Sequence, residues 1–171
     1  MQLIQLPAGW AIAVFVVLWF LLHFAASVVC HRIDEKYLTY NNALFKSRRF
    51  EQEGKLYSRF VKVKKWKKIL PEIYPFRQEV LKEALYRKQP GLDSEKLIEK
   101  YLLESCRAEL SHWLAITPFW IFGFFALPLV IIPCMLLYAL AANLPCIIVQ
   151  RYNRPRIAKH LLRTRSKLAG F

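Results

Sequence analysis

The chain has 171 residues, 56% of them hydrophobic and 22% charged, and its 26 Lys and Arg against 12 Asp and Glu leave a net charge of +14. In a soluble domain that excess would point to nucleic acid. Here the charge borders long uncharged runs, so anionic lipid headgroups or a phosphorylated cosubstrate are the expected partners, and nucleic acid is not.

Gly9 to Cys30 (GWAIAVFVVLWFLLHFAASVVC) holds no charged residue beyond His23 in its protonated form. At 1.5 Å per residue, about 22 residues cross a hydrocarbon layer of roughly 30 Å. A cleaved signal peptide would need a basic start and a small-residue cleavage site. The first seven residues are uncharged and SVVCHR is a poor site, so residues 9–30 are expected to form a retained transmembrane helix. His23 lies about two turns inside the end of that span, where its ring can reach the interface, and a direct catalytic role is its minor reading. His31 and His160 sit among charges and are expected to be solvated.

Residues 31–110 form a polar segment with no internal repeat. It carries 19 of the 26 basic residues and all 12 acidic ones. In KVKKWKK (Lys62 to Lys68), a helix would place Val63, Trp66 and Leu70 on one face with lysines around the rest, a pattern suited to the headgroup layer. FRQEVLKEALYRK (Phe76 to Lys88) reads as a short amphipathic helix that QPG (Gln89 to Gly91) breaks. A further helix should start at Asp93 or Ser94, good N-caps with Glu95 in the first turn, and run without a breaker into the second span. At 100° per residue Ile98, Tyr101, Leu102, Ser105, Ala108, Glu109, His112 and Ile116 share one face, with Lys96, Glu99, Lys100 and Arg107 opposite. Glu109 and His112 are therefore neighbours on the packed face.

Trp113 to Val149 again carries no charge. As one helix it would be roughly 55 Å long, too long for a bilayer, so two spans of about 19 residues are expected, 111–130 and 131–150. Pro128 and Pro133 mark the break, because each removes an amide donor. A re-entrant hairpin is the alternative. With the hairpin spanning, residues 31–110 and the basic tail 151–171 fall on one side, which the positive-inside bias makes cytoplasmic and which leaves the amino terminus outside. The expected fold is thus a single all-α integral membrane domain over 1–171 with three transmembrane helices and an interfacial helical segment, multi-pass in the cell membrane. Cys134 and Cys146 on one helix are about 18 Å apart, too far to bridge. Cys30 and Cys106 would face a reducing cytoplasm, and no pair has zinc-ligand spacing, so no disulfide and no metal is expected.

Two polar knots carry the chemistry. The Glu109 carboxylate can hold one nitrogen of His112, leaving the other to take a proton from a substrate hydroxyl. The plainer reading is a buried ion pair that sets helix packing. The second knot is VQRYNRPRIAKH (Val149 to His160). On a helix Asn143, Gln150 and Arg154 share a stripe with Asn153 beside it, and Pro145 frees a backbone carbonyl near Asn143. Matched hairpin arms would bring Gln150 and Arg154 to the depth of His112 and Glu109, in one cytoplasmic-side pocket. HRID (His31 to Asp34) is not the H-x-x-x-x-D motif of soluble acyltransferases. There is no Gly-rich phosphate loop, G-x-S-x-G elbow or H-E-x-x-H.

RAELSHW (Arg107 to Trp113) and NLPCIIVQRYNRPR (Asn143 to Arg156) together resemble the glycosyl-4,4'-diaponeurosporenoate acyltransferase family. FKSRRFEQEGKLYSRFVKVKKWKKILP (Phe45 to Pro71) is similar too, chiefly at Phe45, Lys46, Phe50, Gly54, Trp66 and Lys67. The resemblance runs from about residue 31. It implies an integral membrane enzyme that esterifies the sugar of a glycosylated carotenoid acid with a fatty acyl chain from a thioester, acyl-CoA, as cosubstrate and with no bound cofactor. On that reading His112 is the general base, Glu109 orients it, and Gln150 or Asn153 stabilises the oxyanion. Arg151, Arg154 and Arg156, with Lys159 and Arg163, hold the donor's phosphates. Arg107, Asn143, Trp66 and Lys67 are the further substrate-binding candidates. Two other readings use the same pocket: a non-enzymatic lipid- or carotenoid-binding or assembly protein, and a transferase with a different glycolipid or isoprenoid acceptor.

Overall fold

A computed structural model describes residue 4, residues 7–67 and residues 92–168. The regular structure among those residues is helical, with no strand. The helices are α1 (Ala8–Arg32), α2 (Lys55–Arg59), α3 (Val63–Trp66), α4 (Leu92–Ile116) and α5 (Pro128–Leu168), with 3₁₀ turns at Glu35–Tyr37, Arg49–Gly54 and Thr117–Phe124. The amphipathic helix expected at Phe76 to Lys88 lies outside the described residues, as does Leu70.

The chain forms two compact units: residues 1–33 with 108–147, and residues 34–107 with 148–171. In the first, α1 is apolar all round, which fits an apolar solvent rather than one buried stripe. Phe20 is 72% exposed on α1 and Leu129 is 93% exposed on α5, and Trp10, Ile12, Phe24, Val130 and Leu137 are exposed with them. Each such side chain left in water forgoes about 1.5–3 kcal/mol of burial. Two helical segments, Gly9–Arg32 and Leu129–Arg163, are long and apolar enough to cross a membrane, and the hydrocarbon of a bilayer would cover these side chains. The unit's own core is Trp19, Ile116, Phe122, Ala139 and Ile147. Trp19 is its hub, with ring centroids 5.4 Å from Phe122, 5.1 Å from Tyr138 and 5.1 Å from His23.

The hairpin departs from expectation in two ways. The first arm is α-helical only to Ile116 and continues as the 3₁₀ turn Thr117–Phe124, because Pro118 lacks an amide donor and sits at φ −84°, ψ 15°. The turn falls before Pro128 rather than between Pro128 and Pro133. Pro128 opens α5, where its missing amide is one of the orphan donors anyway, and Pro133, Pro145 and Pro155 lie within the helix. The 131–150 arm and the 151–171 tail are consequently parts of one helix running to Leu168.

In the second unit Ile98, Leu102, Ile157, Ala158 and Leu161 pack together, flanked by Tyr40 and Tyr101. The inward face read from the α4 periodicity is the buried one, and Lys96, Glu99 and Lys100 are exposed. Arg165 bonds both Glu95 and Glu99. Among the described residues of the lysine-rich run is the single turn α3, with Val63 buried and the Trp66 Nε1–H donating to Val61 O at 2.8 Å. Before it, Gln52, Glu53 and Gly54 all take positive φ. Gly54 at φ +84° has no alternative, since a Cβ there would lie 3.0 Å from the Tyr152 carbonyl oxygen. That close approach packs the Arg49–Gly54 turn onto α5.

Candidate active site

Asn143 lies in the interior of α5, 1% exposed, and its Nδ2 donates back to Ala139 O at 2.9 Å. This bond one turn back fixes the amide, because the flipped orientation would set Oδ1 against a carbonyl oxygen. Oδ1 is therefore presented as an acceptor, and two histidines meet it. His112 Nδ1 on α4 is 2.8 Å away and His23 Nε2 on α1 is 3.3 Å away. All three residues belong to the first unit.

The chemistry of this node follows from donor counting. His112 must carry its hydrogen on Nδ1 to bond Asn143, which leaves the Nε2 lone pair of the neutral ring for a proton. His23 is different. Its Nδ1 is 3.0 Å from Trp19 O, so both of its nitrogens face acceptor oxygens, and with a hydrogen on Nε2 the ring donates to Asn143. An amide that fixes the tautomer of an imidazole, with the second nitrogen left unprotonated, is the arrangement a general base requires.

Glu109 is also buried in this unit, but it is not the partner of His112. Its Oε1 accepts from Trp113 Nε1 at 3.4 Å, one turn along α4. The i, i+3 spacing made Glu109 and His112 neighbours on a surface, whereas the displaced hairpin turn brought Asn143 to His112 instead. In the second unit Gln150 Oε1 accepts from Ser105 Oγ at 2.8 Å.

The arginines of the second knot hold the second unit together. Arg154 is 2% exposed and donates from Nη2 to Ser105 O at 3.0 Å, from Nη1 to Phe45 O at 3.0 Å and from Nε to Ser105 Oγ at 3.3 Å. Three bonds to fixed partners tie that guanidinium to Ser105 and Phe45. Arg151 donates to Glu51 Oε1 and to Leu44 O, each at 2.9 Å. Glu51 also accepts from Tyr57 Oη at 2.6 Å and from the Arg48 amide at 2.7 Å. Burial alone would push the Glu51 carboxyl up, but the Tyr57, Arg151 and Arg48 bonds outweigh it and hold it below its ordinary value. Arg156 stacks on the Tyr152 ring at 3.7 Å, and Lys67 approaches that ring at 5.2 Å. Arg107 is paired with Glu104 and reaches Glu35 at 3.9 Å. Asn153 is half-buried and Lys159 and Arg163 are exposed.

Sequence reasoning missed Ser105 and Glu51 as bonding partners and did not pair His23 with Asn143. The signal for His23 was present. It and Asn143 are isolated polar residues in otherwise apolar spans, where such groups must find each other.

A model of the glycosyl-4,4'-diaponeurosporenoate acyltransferase family matches residues 41–163, which include His112 and Asn143. The chain belongs to this family. Glycosyl-4,4'-diaponeurosporenoate acyltransferases of Staphylococcus aureus strains bovine RF122 / ET3-1, USA300 and NCTC 8325 are each 34% identical to it over 143 residues, covering 84% of this chain and 83% of each relative. No solved structure matches the chain. The acyltransferase match spans both polar knots and the Arg49–Gly54 turn, and His23 lies before its first residue.

Proposed function

We propose that this chain is a membrane O-acyltransferase that moves a fatty acyl group from acyl-CoA to a sugar hydroxyl of a glycosylated carotenoid acid of the diaponeurosporenoate type. The substrate class comes from the names of the relatives. The observation that carries the mechanism is the 2.8 Å bond between His112 Nδ1 and Asn143 Oδ1. His112 Nε2 takes the proton of the acceptor hydroxyl as its oxygen attacks the thioester carbonyl carbon. A C–O bond forms, the tetrahedral intermediate collapses with loss of the C–S bond, and the proton passes from Nε2 to the departing thiolate. Asn143 holds Nδ1–H throughout and stabilises the transient imidazolium. Positioned acid–base groups of this kind contribute on the order of 10² to 10⁴-fold. Gln150 keeps its amide NH₂, with its oxygen occupied by Ser105, and with Asn153 it is assigned the oxyanion. The donor's phosphates are assigned to the exposed Lys159 and Arg163 and to Arg156, whose Nη1 also donates to Tyr152 O at 3.0 Å.

The reading includes three membrane crossings with the amino terminus outside and residues 31–110 and 151–171 in the cytoplasm. The placement of every Lys and Arg in those two segments supports it. So does the length of the middle arm, since residues 108–116 as α-helix and 117–124 as 3₁₀ together rise roughly 30 Å. The test is purified protein in a lipid nanodisc with the glycosylated carotenoid acid and radiolabelled acyl-CoA. Ester and free CoA formed in equal amounts is the expected result. Acceptor binding without ester would make the chain a binding protein, and ester on a different hydroxylated lipid alone would replace the acceptor.

A further inference from the structure

The bond from His23 to Asn143 has no role in the acyl-transfer steps above, which need no second proton donor. We propose that His23 is a positioning residue for the general base, acting on His112 through Asn143. Three features of the geometry assign it. His23 Nε2 donates to the same oxygen, Asn143 Oδ1, that receives His112 Nδ1–H. The His23 ring is itself anchored at its other nitrogen, by Trp19 O at 3.0 Å, and lies against the Trp19 indole. Trp19 is in turn fixed by Phe122 and Tyr138 in the core of the unit.

Asn143 Oδ1 is thus gripped from two helices. Its own helix supplies only the back-bond from Nδ2 to Ala139 O. That bond sets which end of the amide is oxygen but leaves the amide free to rock about it. The second N–H, arriving from α1, aims the oxygen at His112 and keeps the His112 proton on Nδ1. A general base whose ring tautomer is wrong is catalytically poor even with its shape intact. First-span residue His23, outside the segment matched by the family, would therefore control the state of a base about 90 residues away in the chain.

The kinetic half of the test rests on the acyl-transfer reading, and the spectroscopic half does not. His23→Phe keeps a ring against Trp19 and removes the N–H, whereas His23→Gln returns an N–H donor. Full-length proteins in nanodiscs are compared by acyl-CoA turnover and by ¹⁵N-histidine NMR, which reads the nitrogen of His112 that carries hydrogen. The wild type should show His112 as Nδ1–H. His23→Phe should populate both tautomers and lower kcat at least about tenfold with KM for acyl-CoA unchanged, and His23→Gln should restore both. His23→Leu replaces His23→Phe if the latter does not accumulate in the membrane. An unchanged His112 spectrum in the Phe or Leu variant, or a loss that Gln does not reverse, overturns the proposal. If the wild type makes no ester, the acyl-transfer reading falls and the spectra alone decide the role of His23.

Discussion

Replacing Asn143 with Leu keeps the volume of the side chain and removes every polar atom of the node. Two N–H groups, from His112 and His23, lose their acceptor, and Ala139 O loses the Nδ2 donor. Hydrogen bonds between helices in a membrane are worth about 0.6 kcal/mol each and up to about 1.7, so the two histidine bonds place the cost near 1–3 kcal/mol. Apolar packing of the new Leu beside Ile147 and Ala139 offsets part of it. The protein should still insert and fold. The catalytic loss should be far larger than the structural one, because His112 no longer has a fixed tautomer, and turnover should fall on the order of 10²-fold or more. Acyl-CoA turnover and thermal unfolding measured on one detergent-solubilised preparation separate the two effects. Turnover within about threefold of wild type in a folded Asn143→Leu protein would refute the claim that this amide orients the base.

Other consequences follow from the second unit and from the charge placement. Arg154→Gln should lower the unfolding temperature through a loss of about 2 kcal/mol or more, since three buried bonds to Ser105 and Phe45 go, while KM for acyl-CoA in the surviving protein stays near wild type. A raised KM at unchanged stability would return Arg154 to phosphate binding. Glu51 is held below the ordinary 4.5, so its stabilisation is fully present above that value and is lost as pH falls through the folded value. The stability gap between wild type and Glu51→Gln should accordingly be constant near neutrality and shrink below about pH 4.5, and a gap unchanged down to about pH 3 would contradict the assignment. Cysteines placed at Ser94 and Ser166 should resist impermeant thiol reagents in intact cells, and external labelling of either would sink the three-span topology.

Much of this was legible in the residues and some was not. The inward face of α4 could be read because a helix repeats every 3.6 residues, and Ile98, Leu102, Ser105 and Glu109 are indeed buried. The turn was misplaced because Pro128 and Pro133 look alike as breakers. A proline opening a helix leaves no hydrogen bond unmade, so the first of them could begin α5 and the second be absorbed within it. That local difference shifted the pairing across the hairpin and gave His112 to Asn143. Glu109 was the natural partner for His112 by spacing, but spacing fixes neighbours on one helix and says nothing of what arrives from another. The arginine knot reads as a phosphate site from its charge, and the structure adds internal bonds at Arg151 and Arg154. Charge count does not distinguish an exposed guanidinium from one bonded to the carbonyls of Phe45 and Ser105.

The central claim is that His112 is the base for acyl transfer. The most direct measurement is single-turnover ester formation by His112→Gln, with the unfolding temperature read on the same sample. Gln can still donate to Asn143 Oδ1 but offers no basic nitrogen. A wild-type unfolding temperature with the chemical step slowed on the order of 10²-fold or more is the predicted result. A folded His112→Gln protein that forms ester at near the wild-type rate would contradict it, whatever family the chain belongs to.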